Sequence, residues 1–250
     1  MGSTKTGDSN GILGKFFHLA AAMYYIGSFQ YHFRHIRMPY QEEWTLLERF
    51  GAKLSYLTIW NFCFQTFYYS LCVINHMTGG TSGPGDKRSR SSLQKFRDLF
   101  HACVAYPMGT FVVFSFWGIY AVDRELVYPK ALDDIIPAWL CHVTHTTILP
   151  ILLIEKYLVY HEYPTFKKGV TITAGVGLTY LTWVFWIAFY KNFWVYPVLE
   201  VLSWGGRLAF IGGLLVMLIF IYSSGQAFTN KIWNVSKQRP SKQRQFQKQS

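Results

Sequence analysis

Charge is scarce in this sequence. Asp, Glu, Lys and Arg make up 15% of its 250 residues, where a soluble domain carries roughly 25%. Six stretches hold none of the four: Phe16–Phe33, Leu54–Gly85, Leu99–Val122, Ile135–Ile154, Gly169–Tyr190 and Leu208–Asn230. Each is long enough to cross a hydrocarbon core, which takes roughly 20 apolar residues as a helix. The strict alternation of a barrel strand is missing, so backbone groups in these stretches must be satisfied within helices. The start of the chain lacks a short apolar region followed by a small-residue cleavage site, which speaks against a cleaved signal peptide. There is no internal repeat, and no stretch contains a carboxylate. Both absences disfavour a transporter built from two halves with broken, ion-binding helices. Cys63, Cys72, Cys103 and Cys141 fall inside apolar stretches without any Cys-x-x-Cys pair and read as small hydrophobes.

What is present, with 51% hydrophobic residues, predicts an all-α, polytopic membrane bundle of about six transmembrane helices. One domain is expected over residues 1–230, followed by a basic, Gln-rich and disordered tail over 231–250. Basic residues alternate in density: 16 Lys and Arg fall in the amino terminus, second loop, fourth loop and tail, against 8 on the other face. That bias places both termini in the cytoplasm. It accounts for the net charge of +11 better than nucleic-acid binding does, so membrane lipids are the expected partners. The protein is expected in the endoplasmic reticulum or plasma membrane. Thr78–Ser92, rich in Gly, Ser and basic residues, reads as a loop. Arg34–Lys53 reads as a short interfacial helix, and Tyr128, Trp194 and Tyr196 as headgroup-zone rings. Gly2 with Thr6 fits a loose myristoylation pattern.

Polar residues inside apolar stretches are costly in lipid and tend to face an interior. Thr58, Asn61 and Gln65 recur on one helical face, and His142 and His145 share another below Pro137. Thr58 has a bland reading, a hydroxyl bonded back to the Leu54 carbonyl. Asn61 and Gln65 have theirs as interhelical glue. Two chemistries could use these groups. In one, His145 takes the Thr58 proton and the alkoxide attacks an ester carbonyl. In the other, His32-Phe-Arg-His35 and His142-Val-Thr-His145 hold a metal, although no carboxylate in any span completes the set.

Five runs carry a resemblance: Phe96-Arg97-Asp98-Leu99, Arg124 through Lys130, Ile136-Pro137-Ala138-Trp139-Leu140, His142-Val143-Thr144-His145-Thr146 and Trp194-Val195-Tyr196-Pro197-Val198. Together they resemble the androgen-induced protein 1 family, which includes the androgen-dependent regulator of tissue factor pathway inhibitor. The likeness runs from about Gly51 to Tyr222. It implies a multi-pass hydrolase that splits fatty acid esters of hydroxy fatty acids, a lipid-ester substrate, and no cofactor or metal. It also implies a nucleophile at Thr58, after Tyr56-Leu57, and a base at His145. Leu54-Ser55 stands where the family usually has Trp-Lys, and Cys141 where it has Asn. Outside the resemblance, His142 is a candidate to orient His145, and Asn61 a candidate oxyanion donor. The rivals are a non-enzymatic lipid-binding scaffold and a His-ligated metal oxidoreductase. One difficulty is depth: Thr58 lies about 8 Å along its helix from Lys53, whereas His145 lies about 16 Å along its own from Asp134.

The charge pattern sets a test. Tags at either end and in the Thr78–Ser92 loop should report one compartment, and a tag near Asp123 the other, with the sequon at Asn234 unglycosylated. Termini reporting opposite sides would refute the six-span count.

Overall fold

The computed structural model describes residues 11–37, 51–78, 82–83 and 90–235. The Gly2 motif, most of the first loop, most of the second loop and the tail from residue 236 lie outside the described residues. Among those described there is no strand, as the near-continuous apolar runs require. The helices are α1 (Ile12–His35), α2 (Leu57–Thr78), α3 (Ser92–Phe100), α4 (Tyr106–Val122), α5 (Ala138–His145), α6 (Ile148–Leu158), α7 (Phe166–Lys191), α8 (Pro197–Val201) and α9 (Trp204–Ile232). A π-helical turn, His101–Ala105, joins α3 to α4 in one rod, and single 3-10 turns lie at Arg124–Leu126 and Lys130–Leu132.

Three helices are long and apolar enough to cross a membrane: the rod Ser92–Val122, α7 and α9. Together α5 and α6, bent by 43°, make a fourth if they form one span. At 24 and 22 residues, α1 and α2 have the length but not the apolarity. Their buried faces are lined with polar groups, at His18, Ser28 and His32 in α1 and at Asn61, Gln65 and Asn75 in α2. The six charge-free stretches thus map onto six rods, three or four of them long and apolar enough to cross a membrane.

The rod Ser92–Val122 is the centre of the bundle. Of its most apolar stretch 72% is buried, against 28% for α7 and 22% for α9, which turn most of their surface outward. Its π turn has a local cause. Pro107 lacks an N–H, so the Cys103 carbonyl loses its usual donor one turn later. The Thr173 hydroxyl supplies one instead at 2.9 Å, and the Gln65 amide donates to the neighbouring Ala105 carbonyl at 2.8 Å. The α5–α6 bend arises likewise. Pro150 cannot donate back to Thr146, and the Thr146 and Thr147 amides both turn to the His142 carbonyl, each at 2.9 Å.

Around this rod α4 packs against α6 and α9, α7 packs against α9, and α1 lies along α2. The α1–α2 seam is aromatic: Tyr25 stacks on Tyr69 with centroids 5.4 Å apart. Two residues assigned to loops by their charge are in fact interior. Arg97 and Lys156 are fully buried, Arg97 against Asp98 and Lys156 among Tyr163, Thr229 and the Gly225 carbonyl. Runs free of charge mark where a helix meets lipid, but they do not find charges paired inside the protein.

Close helix approach makes one glycine testable. A Cβ on Gly169 of α7 would run into the Tyr222 ring of α9, whereas one on Gly175 of the same helix would meet open space. Gly169→Ala should therefore cost about 1–3 kcal/mol. Gly175→Ala should be neutral or stabilising by about 0.5–1 kcal/mol. Unfolding of the two variants in detergent checks this, and equal effects would contradict the α7–α9 packing.

Candidate active site

Thr58 is the second residue of α2, and its hydroxyl is not bonded back along the chain. The Leu54 carbonyl that would accept it is occupied by two indole N–H groups, Trp60 at 2.8 Å and Trp183 at 3.0 Å. The Thr58 Oγ1 lies instead 3.2 Å from Nε2 of His145. The bland reading of Thr58 as a self-satisfied helix threonine therefore does not describe it.

His145 is the last residue of α5, at the bend, and it is buried. Its Nδ1 faces two oxygen acceptors and, at 3.6 Å, the Cys141 sulfur. The Cys141 carbonyl is 2.9 Å away, and the Thr144 hydroxyl oxygen, whose proton goes to the Leu140 carbonyl, is 3.1 Å away. With the imidazole neutral, these acceptors place the ring proton on Nδ1 and the lone pair on Nε2, toward Thr58. The ring is held flat against Phe116, with centroids 3.7 Å apart at 15°, and the His145 carbonyl accepts the Trp117 indole N–H at 2.9 Å. A backbone carbonyl thus sits where many hydrolase histidines have a carboxylate. Asp133 pairs instead with Arg124, at 2.8 and 2.9 Å.

The difficulty of depth is resolved by the start of the helix. Residues 133–137 form turns rather than helix, and α5 begins only at Ala138. The eleven-residue helical count from Asp134 therefore does not apply.

The supporting candidates are placed elsewhere. His142 is exposed, its Nδ1 is 3.0 Å from the Thr146 hydroxyl, and its ring stacks against Trp117. Asn61 is fully buried and accepts from the Gln65 amide at 3.0 Å, and it is not among the residues lining either cavity described below. Among the described residues neither His-x-x-His pair belongs to a cluster of three or more metal-ligating side chains.

Two groups that the sequence did not assign to the site bear on it. The Tyr196 hydroxyl accepts from the Leu57 amide at 3.0 Å and lies 3.0 Å from the Tyr180 hydroxyl. Tyr180 also accepts from Leu57, at 2.8 Å, and donates to the Ser55 carbonyl at 2.8 Å. Tyr196 stands before Pro197, which holds it in extended backbone with ψ 128. A residue fixed by a following proline was the available signal. In the first turn of α2, the Leu57 amide is held by these tyrosines and the Ile59 and Trp60 amides by the Tyr56 carbonyl. The Thr58 N–H donates to no described group.

Thr58 lines two cavities. One, of about 680 Å³, also has His145, His32, Lys53 and Trp183 in its wall. The other, of about 130 Å³, is lined mostly by apolar side chains including Met108, Val184 and Leu218. Phe116, Val127 and Tyr196 join Thr58 in both walls, so the hydroxyl stands where the two spaces meet. The larger space falls within the roughly 300–1,000 Å³ of small-molecule sites.

Long apolar helices around an interior threonine–histidine pair define an all-helical integral membrane protein with a polar site in its core. The chain belongs to the FAR-17a/AIG1-like protein family, whose model matches residues 14–230. It is 37% identical over 194 residues to the androgen-induced gene 1 protein of Homo sapiens, covering 76% of this chain and 82% of that protein. To the androgen-dependent TFPI-regulating protein of Homo sapiens it is 37% identical over 194 residues, 78% of this chain and 83% of that one. The Mus musculus protein of the same name is 34% identical over 183 residues, covering 73% and 78%. No solved structure matches the chain.

Proposed function

We propose that this protein is a membrane hydrolase of lipid esters, with fatty acid esters of hydroxy fatty acids as its substrate class. The reading is carried by one observation, the 3.2 Å approach of the Thr58 hydroxyl to His145 Nε2 at the junction of two cavities. A threonine hydroxyl is a weak nucleophile alone and needs an adjacent base. The acceptors on Nδ1 leave His145 the tautomer that can serve as one. The substrate class comes from the family resemblance, and the apolar cavity walls suit acyl chains.

In the proposed reaction His145 Nε2 takes the Thr58 proton as Oγ1 attacks the ester carbonyl. The tetrahedral oxyanion is stabilised by the Thr58 N–H, which lacks an acceptor in the helix, together with the positive end of α2. Collapse breaks the ester C–O bond, and the departing hydroxy fatty acid takes the proton from His145. Water, giving its proton to His145, then attacks the acyl-threonine. The fatty acid leaves, and the proton returns to Thr58. No redox step or cofactor enters. A scaffold can use the same hydrogen bond to tie α2 to α5, but it has no need of two cavities meeting at that threonine.

Thr58→Ala and His145→Ala should each lower kcat for a lipid ester by about 10³-fold or more, and the double variant should be little worse, since nucleophile and base act as a unit. Unchanged thermal midpoints would show that the fold persists. Full activity in Thr58→Ala would overturn the threonine mechanism.

A further inference from the structure

A second cluster of chemically capable side chains lies at the far end of α2. Cys72 is fourteen residues beyond Thr58, about 21 Å along the helix. The cluster brings together α1, α2 and α6 and the segment after α6. Its hub is Glu155, fully buried. One carboxylate oxygen lies 2.8 Å from His18 Nε2; the other accepts from the Tyr68 hydroxyl at 2.6 Å and lies 2.9 Å from His161 Nε2. His18 Nδ1 lies 2.6 Å from His76 Nε2. The Cys72 sulfur completes a set in which one ligand atom each from His18, Cys72 and Glu155 lie within 4.8 Å of one another. All three residues are fully buried.

We propose that His18, Cys72 and Glu155 bind a divalent transition-metal ion of the zinc class. Three features carry this. The donors are an imidazole, a thiol and a carboxylate, the set zinc accepts, and their separations allow one ion to touch all three. The His18 ring is flanked on both sides. If the ring is neutral and its Nδ1 proton goes to His76, the Nε2 lone pair faces a carboxylate oxygen 2.8 Å away, a repulsion that one cation held by both atoms relieves. Histidine ligands to zinc commonly donate their other N–H to an outer partner in this way, and His76 occupies that place.

The third feature is charge. A Cys72 thiolate and the Glu155 carboxylate sum to the two negative charges that a divalent ion cancels. Nearby Asp98 pairs with Arg97 Nη2 at 2.6 Å and with Arg90 Nη1 at 2.7 Å, and its link to the cluster is His161, whose Nδ1 lies 3.2 Å away. The surroundings also hold buried polar atoms with no hydrogen-bond partner among the described residues, including both ring nitrogens of His101, which stacks on His161 at 3.9 Å, and Nδ1 of His76. An ion here would cross-link α1, α2 and α6 and take no part in ester chemistry at Thr58.

The test uses the full chain purified in detergent from zinc-supplemented cells, with metal content read by plasma mass spectrometry. About one zinc per chain is expected, falling to less than about a tenth of that in Cys72→Ser and Glu155→Gln. Cys63→Ser should keep the metal. Cobalt added to stripped wild-type protein should give a thiolate-to-cobalt charge-transfer band that Cys72→Ser lacks. Wild-type protein that carries no metal and takes up neither zinc nor cobalt would overturn the proposal whatever the variants do. So would undiminished metal in folded Cys72→Ser and Glu155→Gln. In that case His18 is an imidazolium paired with Glu155.

Discussion

Within a hydrocarbon slab a polar side chain has no water to turn to, so it must find a partner inside the protein or remain unsatisfied at a cost of several kcal/mol. The bundle is organised by that constraint. Tyr, His, Asn and Gln in α1 and α2 face each other and the central rod, whereas α7 and α9 turn mostly apolar surface outward. The Cys103 carbonyl freed by Pro107 is met by Thr173, and the nearby Ala105 carbonyl by Gln65. The Leu54 carbonyl is taken by two tryptophans. That last arrangement has a chemical consequence, because it denies Thr58 its ordinary partner and leaves its hydroxyl to His145.

The same economy of hydrogen bonds shapes the surroundings of His145. His145 ends a short helix whose continuation is broken by Pro150, and the bend leaves its imidazole between Phe116 and Thr58. The tautomer is set by a carbonyl one turn back and by a neighbouring threonine, not by an acid. A buried carboxylate beside His145 would stabilise the imidazolium more strongly, but would itself require desolvation in lipid. A polarised pair of neutral groups, opened to cavities on both sides, is the arrangement this environment tolerates at lower cost.

Much of this was legible in the residues, and the failures have physical causes. Charge-free runs located the rods because lipid-facing surface excludes charge. The run Gly169–Tyr190 became Phe166–Lys191, and Leu208–Asn230 became Trp204–Ile232. The rod at Leu99 begins earlier, at Ser92, because Ser91 caps it by accepting from the Gln94 amide. Thr58 and His145 were found through motif resemblance, and their meeting needed three dimensions. The interior roles of Arg97, Glu155 and Lys156 were hidden, since a charge beside an apolar run reads as loop until its partners from distant helices are seen. Cys72 read as a small hydrophobe, and it is fully buried in the core shared by α1 and α2. Tyr196 was taken for an interfacial ring: Pro197 marks its backbone as fixed, but only the packed bundle brings its hydroxyl to the start of α2.

The account rests on Thr58 carrying the acyl group between the two halves of the reaction. Rapid acid quenching of the protein during turnover of an isotopically labelled lipid ester, followed by peptide mass spectrometry, reads this directly. The account expects the labelled acyl mass on Thr58, formed in the wild type and absent from His145→Ala. An acyl adduct on a different residue during productive turnover would contradict it.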